Sequence, residues 1–460
     1  MAALRLRQIS SQNVVLPDAD TPQAAVITIN INTGRIVDIK KGINANVTEG
    51  DVQVIDVGDK FILPGAVDAH VHLNEPGRTD WEGFWTGTRA AISGGITTVV
   101  DMPLNSIPPT TTLENFNAKR ASADGQCWAD VAFWGGAIPG NQKDLKLLVA
   151  AGVKGFKCFL IESGVEEFPC VTENDLHSHM KELQDESTVL LFHAELEESP
   201  HPIAAQPPSD CTSYETFLSS RPESLEVNAI SLITRLQEKY PSLRCHIVHL
   251  SSSSALPLIR AAKARGLKLT VETCFHYLCL SADTIPNGHP EFKCCPPIRG
   301  RPNKELLWQA LMDGTIDFVV SDHSPCVNEL KKLDDGDILA AWGGINSLGL
   351  GLSLIWTEGK KRGATICQIM RWISRKTAEH AGLSATKGMI AIGHDADLVV
   401  WDPETEFKVS KERFYFKNKL SAFEGMVLRG VVLQVFLRGS LVYDSVRNGF
   451  DELTPQGKLL

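Results

Sequence analysis

The segment VDAHVHLNEPG places His70 and His72 directly after the apolar run ILPGAV. On a strand, residues two apart point the same way, so both imidazoles can reach one ion. Three further residues occupy one kind of position, the polar end of an apolar run: His193 in LLFHAE, His249 in HIVHLSS and Asp322 in FVVSDHSP. Any one of them alone reads as a buried polar residue with its hydrogen bonds satisfied. Together, at the ends of successive strands, they read as metal ligands. Imidazole and carboxylate donors without thiolate suit zinc or a similar divalent ion. His177 and His179 share the spacing of the first pair and serve as a control. ENDLHSHMKELQD has the pattern of an amphipathic helix, on which residues two apart diverge by about 200°. That pair is expected on the surface, without chemistry. Lys157 in GVKGFKCFL closes another apolar run. It is either a snorkelling lysine or carboxylate partner, or an amine whose pKa is depressed by desolvation and nearby cations. In the second case it can capture carbon dioxide as a carbamate, whose two oxygens can bridge two metals.

These residues need elements that bring strand ends to one place. VKGFKCFL, TVLLFHAE, RCHIVHLSS, LKLTVETC and DFVVSDHSP are short apolar runs with polar ends, and NAISLITRLQEKY and SALPLIRAAKARG between them have helical spacing. Strand-then-helix units repeated about eight times imply an α/β chain closed as a TIM-type (β/α)8 barrel, with its polar strand ends at one mouth. AAVITININTGRIVDIKKG near the start, and DADLVVWDP and GVVLQVFLRGSLVYD near the end, alternate like antiparallel strands. Each is too small to be stable alone, so both ends are expected to pair as one β-sandwich domain. The expected division is residues 1–63 and 388–460 for that domain and its tail, and residues 64–387 for the barrel.

A chain of 460 residues, 43% hydrophobic and 22% charged, can bury a full core without staples. Its formal charge of −10 argues against a nucleic-acid partner and makes a small molecule the default. The eleven cysteines are scattered without CxxC pairs, and MAALRLRQISSQNVV lacks a signal peptide's apolar run. Reduced thiols in an intracellular compartment are expected, the cytoplasm first, with peroxisome and mitochondrion as alternatives. QGKLL at the C-terminus is not the peroxisomal SKL type, and Arg5 and Arg7 are the early positive charges. The uncharged stretch 338–356 contains four glycines, Asn346 and Ser347, and reads as a buried loop and helix rather than a membrane span.

Read in order, HVHLNEPG, EGFWTGTRAAISGGITTVVDMPLN, GFKCF, CCPPIR, VSDHSPC and AWGGI resemble the cyclic amidohydrolases, and among them the allantoinases. The resemblance runs from about residue 50 to about residue 400, and KGMIAIGHDADLVVWDP is similar to that family's return into its small β-domain. It implies a binuclear centre of two divalent ions, zinc by expectation. His70, His72, carbamylated Lys157 and Asp322 would surround one ion, and the carbamate with His193 and His249 would hold the other. Two such ions can share a hydroxide, lowering the pKa of water from 15.7 toward about 7, and can polarise an amide carbonyl. Asp322 is then both a ligand and the general base.

The implied reaction is hydrolysis of the ring amide of allantoin to allantoate, in purine breakdown. Dihydroorotases carry an arginine for the substrate carboxylate two residues after the second metal histidine. Here that position is Asn74, which suits the uncharged allantoin. Asn105 in MPLN resembles a substrate-contacting asparagine of the family, or is a turn residue before Pro108 and Pro109. Cys295, where hydantoinases often have serine, and Gly343 lie in segments whose backbone binds the cyclic imide in that family. As small residues, they equally suit a buried position and a tight loop. The resemblance also implies a homotetramer. The alternatives are a hydantoinase, dihydropyrimidinase or dihydroorotase-type enzyme with the same metal site, and a non-catalytic relative using the barrel as a scaffold. Metal analysis separates the last from the others.

Overall fold

The computed structural model describes residues 5–42, 52–197, 210–451 and 453–460. Residues 1–4 and 43–51, part of the segment assigned to the small domain, lie outside them. The alternating ends form strands as expected: β1 (Leu6–Val14), β2 (Gln23–Asn30), β3 (Arg35–Lys41), β4 (Val52–Asp56) and β5 (Phe61–Pro64). The middle supplies β6 (Ala66–Val71), β7 (Ile96–Asp101), β8 (Asp130–Phe133), β9 (Gly135–Gly136) and β10 (Phe156–Phe159). It continues with β11 (Val189–His193), β12 (Arg244–Ile247), β13 (Leu269–Cys274) and β14 (Phe318–Val320). The chain returns through β15 (Leu398–Lys408), β16 (Val427–Leu437) and β17 (Ser440–Asp444).

The two ends do pair. One eight-stranded mixed sheet runs β17-β16-β15-β5-β1-β2-β3, with β4 on β1. Its two halves join at β5 and β15, antiparallel, in the register Leu63↔Val399 and Ile62↔Val400. Ile9, Ile27, Ile29, Ile62, Leu398, Val400 and Phe436 form its own buried cluster, which neither half has enough apolar surface to build alone. The β2–β3 turn depends on Gly34 (φ 71°), where a Cβ would lie 2.6 Å from Cβ of Arg438.

The apolar runs of the middle are parallel strands buried on both faces, which is why they lack alternation. Two sheets result, β6-β7-β8 and β9-β10-β11-β12-β13-β14. Only Trp134 separates β8 from β9, and a parallel bridge Val71↔His323 with a 2.8 Å bond from the His72 N–H to the His323 carbonyl links β6 to the segment after β14. A helix follows each strand unit, for example Ser224–Lys239, which buries Ala229, Ile230, Ile233 and Leu236 on one face. The 338–356 stretch is a loop leading into the helix Gly351–Lys360, and among the described residues no helix is long and apolar enough to cross a membrane.

Candidate metal centre and its cavity

His70 is on β6 with His72 just beyond it, Lys157 is on β10, and His193 ends β11. His249 lies two residues past β12 and Asp322 two past β14. All six line one cavity of about 440 Å³ at the strand ends, together with Asn105, Cys295 and Gly343. The ring centroids of His70 and His72 are 5.5 Å apart, those of His70 and His249 5.4 Å, and those of His193 and His249 4.6 Å. Asp322 Oδ1 is 3.1 Å from Nε2 of His70 and 3.6 Å from Nε2 of His72. His70, His72 and Asp322 therefore present donor atoms within 4.8 Å of one another.

The backbone is strained where these groups are aimed inward. His249 (φ 40°), Asp322 (φ 45°) and Asn105 (φ 69°) adopt the left-handed region. Residues with a Cβ hold that conformation only where their surroundings over-determine it, and such sites concentrate where function needs a fixed side chain.

Buried carboxylates orient the imidazoles from behind. Glu272 Oε1 faces Nδ1 of His70 and accepts from the His249 backbone N–H at 3.3 Å. Glu195 is 2.7 Å from Nε2 of His193 and is itself held by Arg221. Asn105 Nδ2 lies 3.3 Å from Nδ1 of His72. Each of these rings thus has one nitrogen engaged by the protein, and the remaining Nε2 of His70, like Nδ1 of His249, is buried without a hydrogen-bond partner. This is how ligating histidines are set up.

Protonation states fit the same use. Burial lowers His72 to about 4 and pushes His193 and His249 down, so these rings are neutral donors at neutral pH. Asp322 is held well below the usual carboxylate range: burial opposes ionisation, but His70 and His72 outweigh it. Burial works against charging His70 too, yet Asp322 and Glu272 on either side raise its pKa. That position favours a positive charge. The donor set, with orphaned ring nitrogens beside an ionised carboxylate, fits a divalent ion.

Lys157 is buried, and its ammonium makes no ion pair or hydrogen bond among the described residues; its Nζ lies 5.3 Å from the Phe159 ring centroid. The snorkelling and carboxylate-partner alternatives fail here. Burial lowers its pKa to about 8, while Asp322 and Glu272 pull it back up, so desolvation acts as expected but the charged groups that act on it most are carboxylates, not cations.

His177 and His179 take no part in this cavity. They sit on the helix Glu173–Leu183, begun by a Thr172–Asp175 capping box, and diverge as expected. His177 contacts Tyr240, but His179 is fully buried on the core face beside Leu176 and Met180, which corrects its expected surface position. Asn74 is buried with its amide on the Pro325 carbonyl at 3.3 Å and is not among the cavity-lining residues. Glu272, Glu195 and Arg221 stand outside the residues expected from sequence. A glutamate inside the apolar strand LKLTVETC was the available signal for the first. A second carboxylate cluster, Asp130, Asp395 and Asp397, already holds a cation, since Lys387 Nζ lies 2.7 Å from Asp397 and 3.0 Å from Asp395.

A family model described as the amidohydrolase family matches residues 61–442. Allantoinase from Saccharomyces cerevisiae is 50% identical over 99% of this chain and 98% of its own. A mitochondrial allantoinase from Aquarana catesbeiana is 55% identical over 74% of this chain and 70% of its own. Among solved structures, the L-hydantoinase (dihydropyrimidinase) of Arthrobacter aurescens superposes with a TM-score of 0.89 at 28% identity, covering 98% of this chain and 99% of that one.

Proposed function

The chain belongs to the amidohydrolase family, and on that premise we propose that it is an allantoinase, a hydrolase opening the ring amide of allantoin to give allantoate. The observation that carries this reading is the convergence of His70, His72, Lys157, His193, His249 and Asp322 on one cavity, in a chain half identical to a yeast allantoinase along its length. The two parallel sheets, joined at Val71↔His323 and across Trp134, are read as one closed (β/α)8 barrel of residues 64–387. The described parts of residues 1–63 and 388–460 are read as the small β-domain, built on one eight-stranded sheet where a sandwich was expected.

In this reading His70, His72, Asp322 and Lys157 as its carbamate would hold one divalent ion, and the same carbamate with His193 and His249 would hold a second. The unpartnered, desolvated amine of Lys157 supports the carbamate, and the all-nitrogen-and-oxygen donor set supports zinc. Ions bound there would supply Lewis acidity toward water and the amide carbonyl.

The chain's own residues perform the remaining work. Asp322 accepts the proton of the attacking water as the new C–O bond forms, then returns it to the ring nitrogen as the C–N bond breaks. Glu272 and Glu195 keep His70 and His193 oriented through the cycle. Asn105 and the backbone around Cys295 and Gly343 position the ring, and the walls formed by Phe159, Phe217 and Trp342 limit access of bulk water. A homotetramer in the cytoplasm completes the proposal, with the mitochondrion, named for the Aquarana catesbeiana relative, as the alternative compartment.

Removing metal with a chelator and restoring zinc tests this directly. Allantoin opening, followed as the appearance of the new carboxylate by NMR, is expected to vanish and return with about two equivalents of metal per chain. Full activity in metal-free protein contradicts it.

A further inference from the structure

Two lysines, Lys293 in the wall of the cavity and Lys331 behind it, are buried without any carboxylate partner among the described residues, an arrangement that needs another source of compensation. Backbone carbonyls provide it. Lys331 Nζ donates to the carbonyls of Trp342 (3.0 Å), Lys293 (3.1 Å), Pro290 (3.4 Å) and Gly344. Lys293 Nζ donates to those of Leu339 and Ala341, each at 2.7 Å. All but two of these acceptors belong to the loop 339–344, whose Leu339, Ala341, Trp342 and Gly343 line the cavity. The other two, the carbonyls of Pro290 and Lys293, belong to the opposite segment leading to Cys295, to which the Gly344 N–H also bonds at the Lys293 carbonyl (3.0 Å).

The two walls meet closely. A Cβ on Gly343 would lie 2.8 Å from Sγ of Cys295. Burial lowers the pKa of both ammonium groups, that of Lys293 to about 8 with Lys331 and Arg221 pushing the same way, and the loop carbonyls take the place of a carboxylate for each.

We propose that Lys293 and Lys331 are positioning residues that clasp the 339–344 loop against Cys295 and so fix the backbone face of the pocket that selects the substrate. Neither touches the metal ligands, and neither was singled out by sequence. The proposal deepens the reading of this cavity as the substrate site and rests on it. It separates affinity from chemistry: loosening the loop weakens recognition while the metal centre and Asp322 stay in place.

The test uses Lys331→Met and Lys293→Met in the full chain, with three readouts: steady-state kinetics on allantoin, bound metal, and iodoacetamide labelling followed cysteine by cysteine. The exposed Cys211 is the reference for reagent and the buried Cys245 reports unfolding. In both variants Cys295 is expected to label about tenfold faster and KM to rise about tenfold, with kcat within about threefold and metal content unchanged. Unchanged labelling of Cys295 overturns the clasp. Faster labelling with unchanged KM overturns its role in substrate selection. If Lys331→Met also exposes Cys245, the milder Lys293→Met, which loses two carbonyl contacts, decides by the same criteria. Because labelling needs no substrate, a wild-type protein inert toward allantoin removes the functional reading but leaves the clasp to be judged.

Discussion

Glu272 Oε1 stands 2.5 Å from Nδ1 of His70, while its other oxygen is 3.1 Å from Nε2 of His246. One buried carboxylate thereby fixes the ring that presents Nε2 to Asp322. Glu272→Gln keeps the shape and removes the charge. Metal affinity, measured by competition with a chelator, is expected to fall about 10- to 100-fold. Unaltered affinity would show that His70 is oriented by packing alone.

Asp322→Asn retains a ligand oxygen and removes the base. Turnover of allantoin is expected to drop about 10²-fold or more with metal content preserved. Near-normal turnover at full metal occupancy places the base on another residue.

Lys157→Ala removes the proposed bridge and is expected to be inactive and metal-poor. Acetate or propionate with added zinc should restore part of the activity, since a carboxylate supplies the same pair of oxygens. His177→Ala and His179→Ala should leave metal content unchanged, although the second creates a cavity in the core and lowers Tm. A Lys157→Ala protein that keeps both metals and full turnover returns this lysine to a structural role.

Asp402 on β15 binds Lys60 before β5 at 2.9 Å, so it joins the two chain ends. Burial raises its pKa, but Lys60 and the hydrogen bonds from Glu404 and Thr405 win and hold it at about 2. A folded-state value below the unfolded one contributes stability that is present above the ordinary carboxylate range and lost as pH falls through about 2. The stability gap between wild type and Asp402→Asn should therefore narrow as denaturation is measured from about pH 5 down to about pH 2. A constant gap means the ion pair contributes nothing.

Much of this was legible because strand ends and ligands coincide. An apolar run ending in a histidine or aspartate encodes both a buried parallel strand and a residue at its mouth, so His193, His249 and Asp322 carried fold and site together. His179 was misplaced because helical divergence separates it from His177 without saying which of the two faces the core. Asn74 lines no part of the cavity because a left-handed backbone turns it toward Pro325. The supporting groups were harder to see. Glu272, Glu195 and Arg221 matter through side-chain contacts between distant strands and loops. Lys293 and Lys331 act on backbone carbonyls, which have no sequence signature.

The most direct measurement of the central claim incubates the metal-loaded protein in parallel with allantoin, hydantoin, dihydrouracil and dihydroorotate and follows ring opening. The account predicts rapid opening of allantoin and essentially none of dihydroorotate, with hydantoin and dihydrouracil well behind. Comparable turnover of dihydroorotate, or a preference for hydantoin or dihydrouracil, would contradict it and move the chain to another branch of its family.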